Sequence, residues 1–576
     1  MGSEMCIRDS LDSSGTLTEI NNSGVIQALS ANSDALGEEE LNVNIVALDL
    51  SNNVTGVTIN QVVDTNITTS PLIAGGILLG SGDDVINAEG GILLGNVSTG
   101  AGADVLALSN GTNLTGTLND SDGNLALSLA EGSSLIQVTT DPINVSSASI
   151  DSTSTFSPIV DGVTGNVSTL VASNTVTIEE GAGIAPTLLN VVNVQNSSFP
   201  IVSAGNLVIE GDINSLQSLT SPFLYDTAFA LDPNDPNTLV VTLDLRSTEA
   251  LGLDVPQAAF FSSAFDALGT NNGLASSLIN IQDGGEFNSA FNQLLPEFSA
   301  ASRQFILANV DGAVGAVASH LDSARRSQER SGGVWLEEFA YFADRELAGL
   351  AEQYRGFGFG FTGGVDTAWG PFHALGVNVG FSSTEIEDVL GVDDPLNIVT
   401  IQGGVYAGLE RGNFSVDAYA GGGYNDFEST RQVEIGNFTS TAEGDWGGTH
   451  LNGSLRGGYD FDVSERFWVR PTISVDYLRL SENSFEEEGS TGIALAIDDR
   501  TVSSASATAL LNLGTTFEGR RTWIRPAIRG GYRTEFLDDN VITTGTFAGL
   551  NTPFSIEAAD FPNNGFILGF SLAAGS

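Results

Sequence analysis

From residue 333 onward, apolar and polar positions alternate with period two over runs of a dozen residues or more. Phe357, Phe359, Phe361, Val365 and Trp369 alternate with Gly358, Gly360, Thr362, Gly364 and Asp366, giving one apolar face and one small or polar face. Leu451, Leu455 and Tyr459 oppose His450, Asn452, Ser454, Arg456 and Asp460. Phe467, Val469, Ile473, Val475 and Tyr477 oppose Arg470, Thr472, Ser474 and Asp476, and Ile524, Ile528 and Tyr532 oppose Arg525, Arg529 and Arg533. The pattern predicts ten strands, at 334–344, 355–369, 372–385, 397–411, 413–428, 445–461, 467–482, 500–518, 521–536 and 564–575. Strands of globular proteins average about 5–6 residues. These are about twice as long, the reach of a tilted strand that crosses a bilayer. In an outer-membrane barrel the apolar face looks outward to lipid and the charged face lines the lumen. Trp335, Trp369, Trp446, Trp468 and Tyr532 near strand ends suit the aromatic girdles of such a barrel.

The N-terminal part has a different rhythm. Short β-branched runs such as LNVNIVALDL and VTGVTINQVV alternate with Asn, Gly, Asp and Ser turns, and GGILLG occurs at Gly75–Gly80 and again at Gly90–Gly95. GSGDDV at Gly80–Val85 returns as GAGADV at Gly100–Val105, 20 residues on, close to one rung of a β-solenoid. Residues 11–245 are therefore expected to form a β-helix or related solenoid, with a β-sandwich stalk as the alternative.

Between these parts the period changes to that of helix. Phe287, Phe291, Leu294 and Leu295, then Phe305, Leu307, Val310, Val314, Val317 and Leu321, recur at 3.6-type spacing. The last segment is slim, with Gly312, Ala313, Gly315, Ala316 and Ala318, and it closes on Arg325, Arg326 and Arg330. Such a helix is a plain connector or fits inside a narrow tube. Residues 246–330 are read as a helical linker, and 331–576 as the barrel.

Charge sharpens the division. The chain has no lysine, a net charge of −51 and 68 glycines in 576 residues. Residues 11–245 hold 26 Asp or Glu and no Arg, His, Trp or Cys, so no internal Arg or Lys salt bridge can form there. Nucleic acid is excluded as a partner, since phosphate binding needs clustered bases. Residues 1–10, MGSEMCIRDS, hold the single cysteine and the only Arg before Arg246; they read as an artefactual N-terminus, with any signal peptide lost. No apolar run reaches the ~20 residues of a membrane helix, so membrane crossing falls to strands.

Catalytic chemistry finds little footing. His320, His373 and His450 all lie in the linker or barrel, which removes histidine catalysis and zinc binding from residues 11–245. There is no GxSxG elbow, and without lysine no phosphate loop. The chain reads as a non-enzyme. Asp83, Asp84 and Asp104 echo the calcium-binding nonapeptide, but the copies lie 20 residues apart rather than nine, and ordinary Gly–Asp turn closure is the favoured reading. The acidic runs Glu38–Glu40 and Glu486–Glu488 read as solvated loop charge.

A solenoid, a slim helix and a strand-rich C-terminus in that order resemble a type V autotransporter. The resemblance is carried by LLPEFSAASRQFILANVDGAVGAVASHLDSARR, VWLEEFAYFAD, QYRGFGFGFTGGVD and the closing GFILGFSLAAGS, and covers roughly residues 231–576. It implies an all-β architecture: a solenoid passenger, a short helical linker with a pore helix, and a twelve-strand-type antiparallel barrel. Ten strands are legible, so the barrel reads as ending two strands early. The resemblance further implies outer-membrane lipid, the barrel assembly machinery and periplasmic chaperones as partners, with the passenger at the cell surface meeting an unidentified ligand. Residues 308–327 are the expected pore helix, with Arg325 and Arg326 near Asp366, Asp417, Asp460 or Asp476; Arg456, Arg470, Arg525 and Arg529 are expected in the lumen. Two alternatives stand beside this reading, a porin-like channel with a periplasmic stalk and a calcium-dependent surface binding module.

Overall fold

The computed structural model describes residues 10–575 apart from 29–44, 66–68, 192–196, 217–221, 297–300, 327–332, 346–353, 389–395, 465, 519–522 and 559–563. The chain divides into two units, 1–252 with 272–288, and 253–271 with 289–576. The stretch expected to be one linker, 246–330, is thus shared between them. Residues 1–9, with Cys6, and Glu38–Glu40 lie outside the described residues.

The first unit is a parallel β-solenoid with three main sheets and a two-stranded one, Ile159–Asp161 with Thr187–Asn190, among the described residues. Short strands stack rung on rung: Thr58–Val62, Val85–Glu89, Val105–Ser109, Ala126–Leu129 and Ser147–Ile150 are successive neighbours in one sheet, all parallel. Register places Ile59, Ile86, Leu106, Leu127 and Ala148 one above another, all buried. This inward aliphatic ladder is what alternation within each short run encodes, and it forms a continuous core that no single rung could bury. The last strands depart from the pattern: Ser197–Ile209, Asp235–Leu245 and Tyr225–Asp232 pair antiparallel. Helix α1 is Val255–Leu268 and belongs to the second unit; α2, Asn272–Ile279, packs on the strand Thr187–Asn190 of the first.

The second unit is a curled antiparallel meander of ten long strands. They are β1 Gly333–Arg345, β2 Tyr354–Trp369, β3 Phe372–Asp388, β4 Leu396–Arg411, β5 Phe414–Ile435, β6 Phe438–Tyr459, β7 Phe467–Glu482, β8 Arg500–Thr515, β9 Trp523–Asp538 and β10 Asn564–Gly575. Each pairs with the next in sequence, and among the described residues β1 and β10 do not pair with each other. Turns at 370–371 and 412–413 are tight, whereas the opposite end carries long connections. Parts of these connections form a separate sheet of Phe485–Glu486, Leu495–Ile497, Ile542–Phe547 and Pro553–Glu557. The convex face is the apolar one, with Phe357, Phe359, Val379, Ile401, Leu451 and Ile473 all more than 45% exposed, as a lipid-facing wall requires. Among the described residues no helix is long and apolar enough to cross a membrane.

Candidate functional site

The concave side of the sheet holds a helix. After α3, Gly284–Asn292, comes α4, Ala301–Arg326, whose 26 residues make a rod of about 39 Å. It lies against β1 to β5. Its first turns are apolar: Ala301, Phe305, Ile306, Leu307 and Val310 are buried in a cluster with Tyr354, Ile398, Phe427, Trp446, Leu480 and Val502. Trp446 stacks between Phe427 and Phe485, at centroid distances of 5.1 and 4.2 Å.

The Gly–Phe run of β2 now has a physical reason. Its phenylalanines face outward, and the intervening glycines leave room on the lumen side for bulky rings from elsewhere. A Cβ on Gly356 would lie 2.3 Å from Phe305 of α4, one on Gly358 would lie 2.3 Å from Tyr341, and one on Gly360 would meet Phe339 at 2.7 Å. Gly312 of α4 does the same for Phe339, at 2.5 Å.

Polar pins hold the rest of α4. Arg303 pairs with Glu535 at 3.3 Å and with Asp538, and Asp311 pairs with Arg533. Asn309 accepts from Gln402 Nε2 at 3.1 Å. Asp322 receives Arg470 at 2.7 Å, Arg456 at 2.9 Å and Arg325 at 3.3 Å, while Arg456 also binds Asp417 at 2.6 Å. On another side of the helix, His320 pairs with Asp366 and stacks on Trp335 at 4.9 Å. Trp335 Nε1 donates to the Tyr406 hydroxyl at 2.6 Å, and that hydroxyl donates to Asp366 at 2.8 Å. Each buried cation therefore has a carboxylate within reach, as burial of charge demands.

Beside α4 the lumen is hollow. A cavity of about 390 Å³ lies between the helix and the strands β5 to β10, with Arg456, Arg470, Asp476, Arg525 and Arg529 on its walls.

The structure sorts the expected site residues. Arg325 reaches Asp460 at 3.4 Å as well as Asp322, a favourable place for a cation at a helix C-terminus. Asp366 and Asp417 serve His320 and Arg456 instead, and Asp476 accepts from Ser454 and Ser474 at 2.6 and 2.9 Å. Arg326's side chain lies outside the described residues. Sequence reasoning missed Arg303, Asp311, His320 and Asp322 as anchors. The available signal was the presence of ionisable residues in an otherwise small and apolar helix.

Two expectations need correction. Trp335, Trp446 and Trp468 do not sit in a lipid girdle: Trp335 faces α4, Trp446 is 8% exposed in the apolar cluster, and Trp468 lines the cavity. Face parity along the strand, not nearness to its end, decides the direction of each ring; Trp369, at 68% exposure, does face outward. Glu487 is not solvated loop charge, because it is buried against Arg431 at 2.6 Å. Asp83, Asp84 and Asp104 tie rungs together: their Oδ1 atoms accept from the backbone N–H of Ala103, Val57 and Asp84 at 2.8, 2.7 and 2.8 Å. Among the described residues no group of three or more His, Cys, Asp or Glu is arranged to hold a metal.

Comparison with known proteins meets this geometry. Residues 334–576 match the autotransporter beta-domain family. Outer membrane protein B of Rickettsia typhi is 22% identical over 448 residues, 72% of this chain and 25% of that protein. Esterase EstA of Pseudomonas aeruginosa is 27% identical over 143 residues, 24% of this chain and 21% of that protein. The translocator domain of the autotransporter NalP from Neisseria meningitidis aligns with 48% of this chain and 94% of its own, at 15% identity and a TM-score of 0.34. The chain spans about a quarter of the length of the curated relatives it matches. A lipid-facing wall, a lumen helix and the family match together identify residues 334–576 as an autotransporter β-domain of the outer membrane.

Proposed function

We propose that the barrel carries its own acidic solenoid to the cell surface and anchors it there, α4 being the last exported segment, retained in the pore. The observation that supports this most is the fixing of α4 in the lumen by apolar packing at one end and Asp322–arginine pairs at the other. A channel whose normal state is open has no use for such a plug. The passenger is a non-enzymatic surface solenoid with an adhesive or structural role. Support for that lies in the absence of His and Cys from residues 11–245 and in rung-tying roles for the aspartates that echo a calcium motif. Outer-membrane lipid, the barrel assembly machinery and periplasmic chaperones are its partners in biogenesis.

A single cysteine at Ser149, an exposed rung position, tests the reading in a Cys6→Ser background. A membrane-impermeant maleimide should label it on intact cells as fully as on permeabilised ones. Labelling only after permeabilisation would replace the export reading with a barrel bearing a periplasmic stalk.

A further inference from the structure

The connection between solenoid and pore helix is itself docked. Helix α1 opens with a capping box, Asp254 accepting from the Gln257 N–H at 2.9 Å and Gln257 Oε1 accepting from the Asp254 N–H at 2.8 Å, with Pro256 in the first turn. It therefore starts as a helix for local reasons. Its apolar side does not face a neighbour in sequence: Phe260, fully buried, meets Phe554 at 4.9 Å and Phe547 at 5.3 Å, both on the sheet built from the long connections. Polar contacts fix the same register. Ser263 Oγ donates to the Thr552 carbonyl at 2.8 Å, Thr552 Oγ1 donates to Asp266, and Asn271 donates to the Thr491 carbonyl at 2.8 Å.

A second grip holds the chain closer to the pore. Strands β5 and β6 are 22 residues long, against 16 for β4 and β7, and their extra length carries Arg431. Arg431 is buried and bidentate with Glu487, and donates to the carbonyls of Gln293 and Leu294 at 3.2 and 3.3 Å. Glu434 N–H donates to Gln293 Oε1 at 2.6 Å. Phe291 packs back on Phe260 at 6.2 Å, joining the two grips. Arg431 is thus buried beside three backbone carbonyls, the third that of Ile493 at 2.5 Å, and one carboxylate, and two of those carbonyls are there to receive it only when residues 293–294 are in place.

We propose that the sheet of the long connections, with the β5–β6 extension, is a docking surface for the chain segments 254–271 and 289–294, and that docking latches this stem outside the barrel. The proposal rests on the outer-membrane export reading above. The lumen already holds α4, and a helix with its side chains is about 10–12 Å across. Docked α1 can therefore neither enter the tube nor slide back through it. The occupant of the surface is this chain's own stem, chosen by the aromatic fit around Phe260 and by the Arg431 grip on two named carbonyls.

The test uses the whole chain in intact cells with an external protease, comparing wild type with Phe260→Asp on the stem and Phe554→Asp on the surface. The latch predicts that residues 254–271 resist cleavage in wild type and are cut about tenfold faster or more in either variant, because cleavage follows the undocked population. Arg431→Met should act in the same direction. Using both sides of the contact guards against one variant failing to assemble. Equal resistance in wild type and both variants, with the passenger still at the surface, overturns the latch while leaving export intact. A passenger protected from the protease in every strain, wild type included, overturns the export reading and the latch with it.

Discussion

Arg470 reaches from β7 across the lumen to Asp322 on α4, with Nη1 at 2.7 Å from the carboxylate and the arginine almost wholly buried. Arg456 meets the same carboxylate from β6 at 2.9 Å and sends Nη2 to the Ala318 carbonyl at 3.1 Å. One side chain of the helix thus answers two cations of the wall, and its loss leaves both without their shared counter-charge.

Asp322→Asn should therefore loosen the pore helix more than the removal of any surface charge. Breaking a buried pair by deleting one partner costs about 3–5 kcal/mol, and partial solvation of Asp322 brings the expectation here to roughly 2–3 kcal/mol. Single-channel recording of the purified protein should show frequent openings that wild type lacks. Conductance no different from wild type would remove Asp322 from the plug's anchorage.

Gly312→Ala offers a cleaner steric test. Alanine is the better helix former by about 1 kcal/mol, so a free helix would gain from it. In the lumen the added methyl runs into Phe339, and overpacking typically costs about 1–3 kcal/mol. Gly312→Ala should raise leak conductance, and pairing it with Phe339→Ala should restore closure. A double variant that leaks as much as the single one would show that the glycine acts through something other than room for that ring.

The solenoid should grow more stable as pH falls towards 5. Burial, reinforced by Asp84, Asp120 and Asp122, pushes the Asp104 carboxyl up to about 6, and burial raises Asp84 as well. Asp83 adds to the field at Asp84. The Oδ2 atoms of Asp84 and Asp104 are buried without a hydrogen-bond partner among the described residues. A folded-state value above the unfolded one means that folding takes up a proton. The stabilising contribution is present at low pH and is lost as pH rises through about 6. From pH 7.5 to 5 the gain should be about 1 kcal/mol from Asp104. Urea unfolding of the solubilised chain should show this gain, and Asp104→Asn should abolish most of it. A solenoid midpoint that falls over the same range would contradict the assignment.

Gly100→Ala probes rung spacing. Gly100 has φ +83°, and a Cβ there would lie 1.7 Å from the Gly80 carbonyl oxygen of the rung below. Both strain and collision oppose a side chain, so a loss of more than about 1 kcal/mol is expected, larger than for a tolerated Gly-to-Ala change. Thermal unfolding followed by circular dichroism checks it.

The strands were legible because lipid on one side and a polar lumen on the other impose strict alternation. Phe357 to Trp369 shows it as clearly in sequence as in space. Arg456, Arg470 and Asp417 were legible as lumen groups for the same reason. Their partner Asp322 was not, because pairing across a tube depends on the rotation and height of α4, which no spacing within one strand records. The three inward tryptophans were misplaced because strand ends were easier to see than face parity. The sheet under α1 was invisible because its strands are two to six residues long and interrupted by Gly and Asn. Glu487 was hidden with it, since the burial of a loop carboxylate follows from Arg431 some 56 residues away.

The central claim is that the solenoid ends up outside the cell, held by a helix that stays in the pore. Shaving intact cells with protease, followed by blotting for fragments, tests it most directly. The account predicts loss of the 11–245 solenoid from intact cells, with a membrane-protected fragment that keeps α4 and the strands β1 to β10. A solenoid that survives until the outer membrane is permeabilised would contradict it.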